Sequence, residues 1–273
     1  MTVARFLILV GLLGVGLFAW MYRAAVSDPV LRRADIAWAT EMDGRATFTA
    51  LLISDLHVAG PDMPPERLAR VVERINGLQT DLVLIAGDFV SEKKFASDRY
   101  PIATAVAPLG ALRPKLGTFA VLGNHDHWRN AAQTLQALRK AGVTVLDNDA
   151  VRAGPFVIGG LDDAFTGHEN LPSTLAAMRR LGGKPILLSH SPDPFPEVPH
   201  DVRLMVAGHT HCGQIRLPLV GALTYMSDYG ERYACGLIRE EGKVLIVSAG
   251  LGTSLLPLRL GAVPDMWLIT LTP

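Results

Sequence analysis

Cysteine is almost missing from the chain: 273 residues include only Cys212 and Cys235, and no C-x-x-C pair exists. A multi-bridge disulfide scaffold and a cysteine-type zinc site are thereby excluded. Charge is scarce too. Asp, Glu, Lys and Arg make up 19% of the sequence, below the usual figure of about 25%. The 26 basic and 26 acidic residues cancel, so the basic surplus of a nucleic-acid binder is absent and no such partner is expected. There is no G-x-S-x-G elbow, no G-x-x-x-x-G-K-[ST] loop and no G-x-G-x-x-G. That removes the commonest hydrolase, nucleotide and dinucleotide signatures. Gly182-Gly183-Lys184-Pro185 resembles a phosphate loop only superficially, because it leads into a strand pattern instead of a helix. Hydrophobic residues, at 49%, are too many for a disordered chain and enough for a sizeable core.

Seventeen uncharged residues, Phe6 to Tyr22, lie between Arg5 and Arg23. As a helix they reach about 26 Å, slightly short of a hydrocarbon core of about 30 Å. Trp20 and Tyr22 stand at one end, where an aromatic belt is expected. The stretch is long for a signal peptide and no clear A-x-A site follows, so residues 1–23 read as an uncleaved anchor. The expected location is therefore a membrane, crossed once, with the lipid bilayer as a partner. Arg23, Arg32 and Arg33 follow the span and Arg5 precedes it. This small bias leans toward a cytoplasmic main domain.

Residues 24–45 read as a juxtamembrane connection, with a first strand at Ile36–Glu41, and residues 46–273 as one domain. Pro65–Asn76, Asn130–Ala141 and Leu171–Leu181 have helical periodicity, the second starting with Asn130 as N-cap. Five short, nearly unbroken apolar runs lie at Thr49–Ile53, Leu82–Ala86, Thr118–Leu122, Pro185–Leu188 and Val202–Ala207. Such runs are expected of strands buried on both faces between helices. Beyond Gly208 the pattern is strand-like without a long helix, at Tyr233–Ile238, Lys243–Val247 and Met266–Leu271. The reading is an α/β domain finished by a mostly antiparallel segment.

Each apolar run ends in residues able to hold a metal: Ser54-Asp55-Leu56-His57, Gly87-Asp88, Gly123-Asn124-His125-Asp126, Ser189-His190 and Gly208-His209-Thr210-His211. Ligands of open α/β sheets bind beyond the carboxyl ends of strands, so five such ends can share one crevice. Oxygen and imidazole donors suit divalent ions such as Mn, Fe or Zn. The glycines before Asp88, Asn124 and His209 are expected to permit sharp turns. Any one of these pieces alone reads as an ordinary turn, helix cap or core histidine; five in this order do not.

With those residues in view, the chain resembles the calcineurin-like metallophosphoesterases, whose motifs run D-x-H, G-D, G-N-H-D/E, H and G-H-x-H. The resemblance covers about residues 47–271. Leu188 to Asp193, Gly208 to Gln214 and Gly250 to Thr253 look like a branch of membrane-anchored or exported bacterial phosphodiesterases. That branch includes a UDP-2,3-diacylglucosamine pyrophosphatase of lipid A synthesis. Cys212 departs from it, standing where glycine is usual, and so does Ser248-Ala249. The resemblance implies a four-layer α/β/β/α sandwich and two divalent metal ions. Asp55, His57 and His211 would hold the first metal, Asn124, His190 and His209 the second, and Asp88 would bridge them. His125 would protonate the leaving oxygen or stabilise its charge, and the bacterial branch implies an inner (cytoplasmic) membrane as the location. Asp126, adjacent to His125, reads as orienting its ring, with a solvated turn carboxylate as the alternative.

The expected activity is hydrolysis of a phosphodiester or pyrophosphate by hydroxide activated between the metals. The substrate would be a lipid-linked pyrophosphate, UDP-2,3-diacylglucosamine being one, or a soluble or cell-wall diester. A non-catalytic metal-binding scaffold would have no use for His125. Arg259 reads as structural, with a second phosphate as the alternative. His127 reads as a rim residue. Cys212 and Cys235 read as free thiols, bonded only in an oxidising compartment. Leu217–Met226 reads as core packing, with an acyl-chain channel as the alternative.

Overall fold

The computed structural model describes residues 2–38 and 47–272. In chain order the elements begin α1 (Val3–Ala25), β1 (Val30–Ala37), β2 (Phe48–Ile53), α2 (Pro65–Gly77), β3 (Leu82–Ala86), α3 (Ile102–Val106), β4 (Gly117–Val121) and α4 (Asn124–Lys140). Next come β5 (Thr144–Val145), β6 (Asp149–Ala153), β7 (Phe156–Leu161), α5 (Leu171–Leu181), β8 (Lys184–Ser189) and β9 (Leu204–Ala207). The chain ends with β10 (Arg216–Leu217), β11 (Gly221–Ala222), β12 (Gly236–Glu240), β13 (Lys243–Val247) and β14 (Asp265–Thr272).

The described strands form two mixed sheets and one small hairpin. The first sheet has the order β1-β14-β2-β3-β4-β5 and the second β12-β13-β9-β8-β7-β6, while β10 pairs only with β11. Side chains alternate between the faces of a strand, and this turns the unbroken apolar runs into three cores. Leu51 and Ile53 of β2 face outward with Val83 and Ile85, onto Leu68, Val72 and Ile75 of α2 and Leu138 of α4. Ala50 and Leu52 face inward with Leu84, onto Ile158, Ile186 and Val206 of the second sheet. Val157, Leu187, Met205 and Leu245 on the far face of that sheet meet Met178 of α5. Each fully buried side chain of this size contributes roughly 1.5–3 kcal/mol. The result is the four-layer α/β/β/α arrangement anticipated from the sequence.

Several boundaries differ from the sequence reading. The first strand is not Ile36–Glu41 but Val30–Ala37, parallel to β14 with Val30 opposite Asp265; residues 39–41 lie outside the described residues. Arg32, Arg33 and Asp35 hide this strand in the sequence because it is an edge with most of its side chains exposed. Part of the expected connection is therefore sheet. The hairpin β6–β7 was missed because Gly159 and Gly160 weaken the strand pattern. The closing segment is less antiparallel than expected: β12 and β13 are antiparallel, but β13 runs parallel to β9. Asn130 does cap a helix, accepting from Gln133 N at 2.9 Å. The helical turn that precedes it, Asn124 to Arg129, was not anticipated.

Helix α1 is long and apolar enough to cross a membrane, and the apolar window is entirely exposed. Only its C-terminal end joins the domain. Arg259 N donates to Met21 O at 3.1 Å, Tyr22 Oη donates to Pro61 O at 3.4 Å, and Ala25 is buried.

Gly160 of β7 lies against Leu146, which follows β5 of the first sheet, so closely that a Cβ there would overlap Leu146 Cβ. Gly160→Ala should lower stability by about 1–3 kcal/mol through overpacking. Urea unfolding of the detergent-solubilised chain, followed by circular dichroism, checks this; an unchanged midpoint contradicts the close approach.

Candidate metal centre

Strands β2, β3, β4, β8 and β9 all end at one edge of the sandwich, and the loops that follow carry the expected ligands. Crossed backbone hydrogen bonds bind these loops together. Asp55 N donates to Gly87 O at 3.0 Å, His57 N to Asp88 O at 2.9 Å, Gly208 N to His190 O at 2.9 Å and Gly252 N to Asp55 O at 2.8 Å. Asp55, His57, Asp88, His209 and His211 all have positive φ, between 43° and 69°. Left-handed backbone at a residue other than glycine costs about 1–3 kcal/mol and persists only where the surroundings enforce it. The glycines serve less for turning than expected. Of the three, only Gly87 has positive φ; a Cβ at Gly123 would overlap the Asp88 carboxylate, and one at Gly208 that of Asp55.

The donor atoms converge. His57 Nε2 and His211 Nε2 are 3.0 Å apart, and Asp55 Oδ1 lies 3.5 Å from the latter. Asn124 Oδ1 is 3.0 Å from both His190 Nε2 and His209 Nδ1. Between these groups Asp88 Oδ2 lies 3.3 Å from His57 Nε2 and 3.4 Å from His190 Nε2. Asp55, His57 and His211 are close enough together to hold one ion, as are Asp55, Asp88 and His190. His57, Asp88 and His125 form a further such group, so geometry also gives His125 access to an ion.

Burial pushes His57 and His211 well below the ordinary histidine range and His209 down to about 3. These imidazoles are neutral and offer lone pairs. Burial, chiefly, pushes Asp55 up to about 7. Asp88 and His190 behave differently: burial opposes both charges, yet each holds the other ionised, Asp88 well below its ordinary range and His190 well above. Neutral nitrogens at about 3 Å from one another, around a buried carboxylate, are a donor set that a pair of divalent cations would satisfy.

The structure reassigns several residues. The Asp126 carboxylate turns to the backbone, accepting from Phe89 N and Gly123 N at 3.0 Å and Val90 N at 3.3 Å. It therefore positions the loop carrying Asp88 and Asn124 and does not orient the His125 ring. Burial pushes it up to about 7. His125 packs edge-on against His57 and Trp128, its Nε2 is 3.5 Å from Ser254 Oγ and its Nδ1 has no partner among the described residues. Arg259 is fully buried and donates to Ala249 O at 2.7 Å and Gly252 O at 2.5 Å, with Nη2 3.5 Å from His211 Nδ1. It is structural, and backs the His211 ring. His127 is half-buried, 2.9 Å from Asp162.

Cys212 and Cys235 are bonded to each other, correcting the expectation of free thiols. Thr210 Oγ1 donating to Ala234 O at 2.6 Å brings the two segments together. Leu217–Met226 is not core: Leu219, Val220 and Leu223 are exposed. Sequence reading also missed a buried triad beside the centre, in which Lys93 Nζ lies 2.5 Å from Asp62 Oδ1 and Thr253 Oγ1 donates to Asp62 Oδ2 at 2.8 Å. No local motif signals it. A cavity of about 520 Å³ opens beside the donors, lined by Phe165, Asp193, Met226 and Tyr229 among others. Phe165 separates it from His209, with ring centroids 4.7 Å apart.

A family model described as calcineurin-like phosphoesterase matches residues 48–213. The chain is 34% identical over 228 residues to an uncharacterized metallophosphoesterase of Aquifex aeolicus (strain VF5), covering 80% of this chain and 82% of that one. It is 32% identical over 233 residues to one of Bacillus subtilis (strain 168), covering 82% and 79%. A transmembrane protein with metallophosphoesterase domain from Danio rerio is 28% identical over 230 residues, covering 78% of this chain and 50% of that protein.

His125→Ala should keep two bound metals and lose roughly 10²–10⁴ in rate, the scale of general acid catalysis. Metal analysis beside the assay checks it. Loss of one metal equivalent would make His125 a ligand instead.

Proposed function

This chain belongs to the calcineurin-like phosphoesterase family, which makes it a metal-dependent phosphoester hydrolase, and we propose that it hydrolyses a phosphodiester or pyrophosphate: a water oxygen bonds to phosphorus and the P–O bond to an alcohol or phosphate leaving group breaks. The convergence of Asp55, His57, Asp88, Asn124, His190, His209 and His211 at one edge carries this reading. Asp55, His57 and His211 would hold one divalent ion and Asn124, His190 and His209 the other, with Asp88 between; Mn, Fe or Zn suits these donors. When bound, the ions lower the pKa of water and neutralise charge on phosphoryl oxygens. The protein does the rest. Asp126 fixes the backbone from which Asp88 and Asn124 project. Arg259 holds the 249–252 loop against His211. His125 donates a proton to the departing oxygen, whose charge would otherwise build up. Trp128 and Phe165, both partly exposed, wall the entrance on that side.

Asp88→Asn should cut turnover by more than about 10²-fold while leaving the circular dichroism unchanged, because the charge shared between both sites is lost. The assay uses bis-p-nitrophenyl phosphate beside UDP-2,3-diacylglucosamine, with Mn²⁺ returned after chelation. Parental activity in metal-replete Asp88→Asn protein overturns the assignment, and the relative rates separate a soluble diester from a lipid-linked pyrophosphate.

Helix α1 acts as an uncleaved anchor. This reading is supported by the hydrogen bonds to Met21 and Tyr22, which cleavage beyond Tyr22 would remove, and by relatives named as transmembrane proteins. The side of the membrane is a separate matter. The arginine balance leans toward the cytoplasm, but the Cys212–Cys235 bond favours an oxidising compartment. A bonded pair beside His211 outweighs a bias of one or two arginines, so the domain faces the exported side. In unreduced cells both thiols should resist maleimide and become reactive only after reduction and unfolding. Labelling of both without reductant would return the domain to the cytoplasm.

A further inference from the structure

The hairpin β10–β11 and the turn that follows it form the most exposed apolar part of the folded domain. Leu219 is fully exposed, Val220 73% and Leu223 67%. Contiguous exposed apolar groups on a folded domain mark something that covers them. The place of the hairpin says what that is. Arg259 N bonds to Met21 O at the end of α1. The next residue, Leu260, donates to Gln214 O at 3.0 Å and accepts from Arg216 N at 2.8 Å. The hairpin thus hangs one residue away from the docked end of the anchor. Its tip, Leu219, is three residues past Arg216, at most about 10 Å further on.

A second loop lies on the same side. The Gln214 side chain donates to Leu256 O and Leu258 O at 3.1 Å and accepts from Ser254 N at 2.9 Å. Leu255, 64% exposed, is carried on that loop. From Gly213 to Ser227 there is no Asp or Glu, and none from Gly250 to Pro264. Arg23 at the end of α1 is exposed, whereas Arg216 in the hairpin is half-buried and paired with Glu231 at 3.0 Å. Apolar tips on segments that carry no carboxylate of their own, beside a docked membrane helix with Arg23 at its end, suit a bilayer surface.

We propose that the β10–β11 hairpin and Leu255 dock into the leaflet that α1 enters, with Leu219, Val220 and Leu223 below the headgroups. Two consequences follow, the second resting on the hydrolase reading above. The metal centre, reached through His211 three residues before Gln214, is held at the membrane surface. Its substrate is amphiphilic and arrives from within the leaflet. The same segment continues into Met226 and Tyr229, which line the cavity that Phe165 separates from His209, so the hairpin and the rim of the metal centre belong to one surface.

The test uses the full chain in vesicles of phosphatidylcholine and phosphatidylglycerol. Leu219→Cys carries an environment-sensitive fluorophore, Lys140→Cys at the far end of α4 serves as reference, and the parent chain gives the labelling background. Nitroxide lipids should quench the probe at 219 and spare that at 140. Equal quenching overturns the docking, as does absent quenching in a chain that self-associates, which would assign the patch to a second copy. Separately, Leu219→Glu, Val220→Glu and Leu223→Glu combined should leave hydrolysis of bis-p-nitrophenyl phosphate in detergent unchanged. Cleavage of a long-chain diester in vesicles should drop about tenfold or more as local concentration is lost. Equal loss on both substrates makes the hairpin a structural element and overturns the proposal. A parent chain inactive on both, with the 219 probe still quenched, would refute the hydrolase reading and leave the docking intact.

Discussion

The carboxylate of Asp88 is the point on which the two sheets agree. It follows a strand of the first sheet, yet His190 reaches it from the second at 3.4 Å, and the His125 backbone N–H donates to it from the start of α4 at 2.9 Å. A buried negative charge is expensive unless compensated. Here compensation must come from loops whose positions depend on how the two sheets are packed. The inter-sheet core of Leu84, Val121, Ile186 and Val206 therefore does more than stabilise the fold. A shift between sheets would pull the donors off a common centre.

Around that charge the fold spends strain and polar burial together. Positive φ at five of the seven ligating positions is held by hydrogen bonds between strand ends, and the supporting groups are themselves buried and polar. Asp126 holds three backbone N–H groups, and Lys93 pairs with Asp62. Asp265 accepts from Arg32 at 2.7 Å, from Ser248 Oγ at 2.8 Å and from Ala249 N at 2.9 Å, linking the first strand to the loop that Arg259 grips. Removing one member of such a set leaves the others unpaired in a dry interior, which costs several-fold more than an exposed pair contributes.

What was legible in the sequence was what repeats locally. Strands β2, β3, β4, β8 and β9 are apolar on both faces and announce themselves, and the Asp, Asn and His residues at their ends could be read as one constellation. Charged edge strand β1 and glycine-bearing β7 carried no such signal. Nor did the supporting groups: Lys93 meets Asp62 and Thr253 across 31 and 160 residues, and Asp62 meets Thr253 across 191. Asp126 was placed wrongly because adjacency to His125 in sequence puts its side chain on another face of the helical turn. The exposed hairpin looked like core for a similar reason: composition reports that leucines want cover, not what provides it.

Between the last residue of α1, Ala25, and the first of β1, Val30, lie four residues, and one of them, Ser27, is tied down by Arg67 at 2.7 Å. There is almost no slack. With α1 in a bilayer, the domain would have lateral diffusion and rotation about the membrane normal, but little freedom to tilt. A catalyst mounted at a fixed angle samples a plane, so its encounter rate follows the number of substrate molecules per unit of membrane area and barely responds to the volume of the compartment. A flexible leash of the same protein would reverse that dependence.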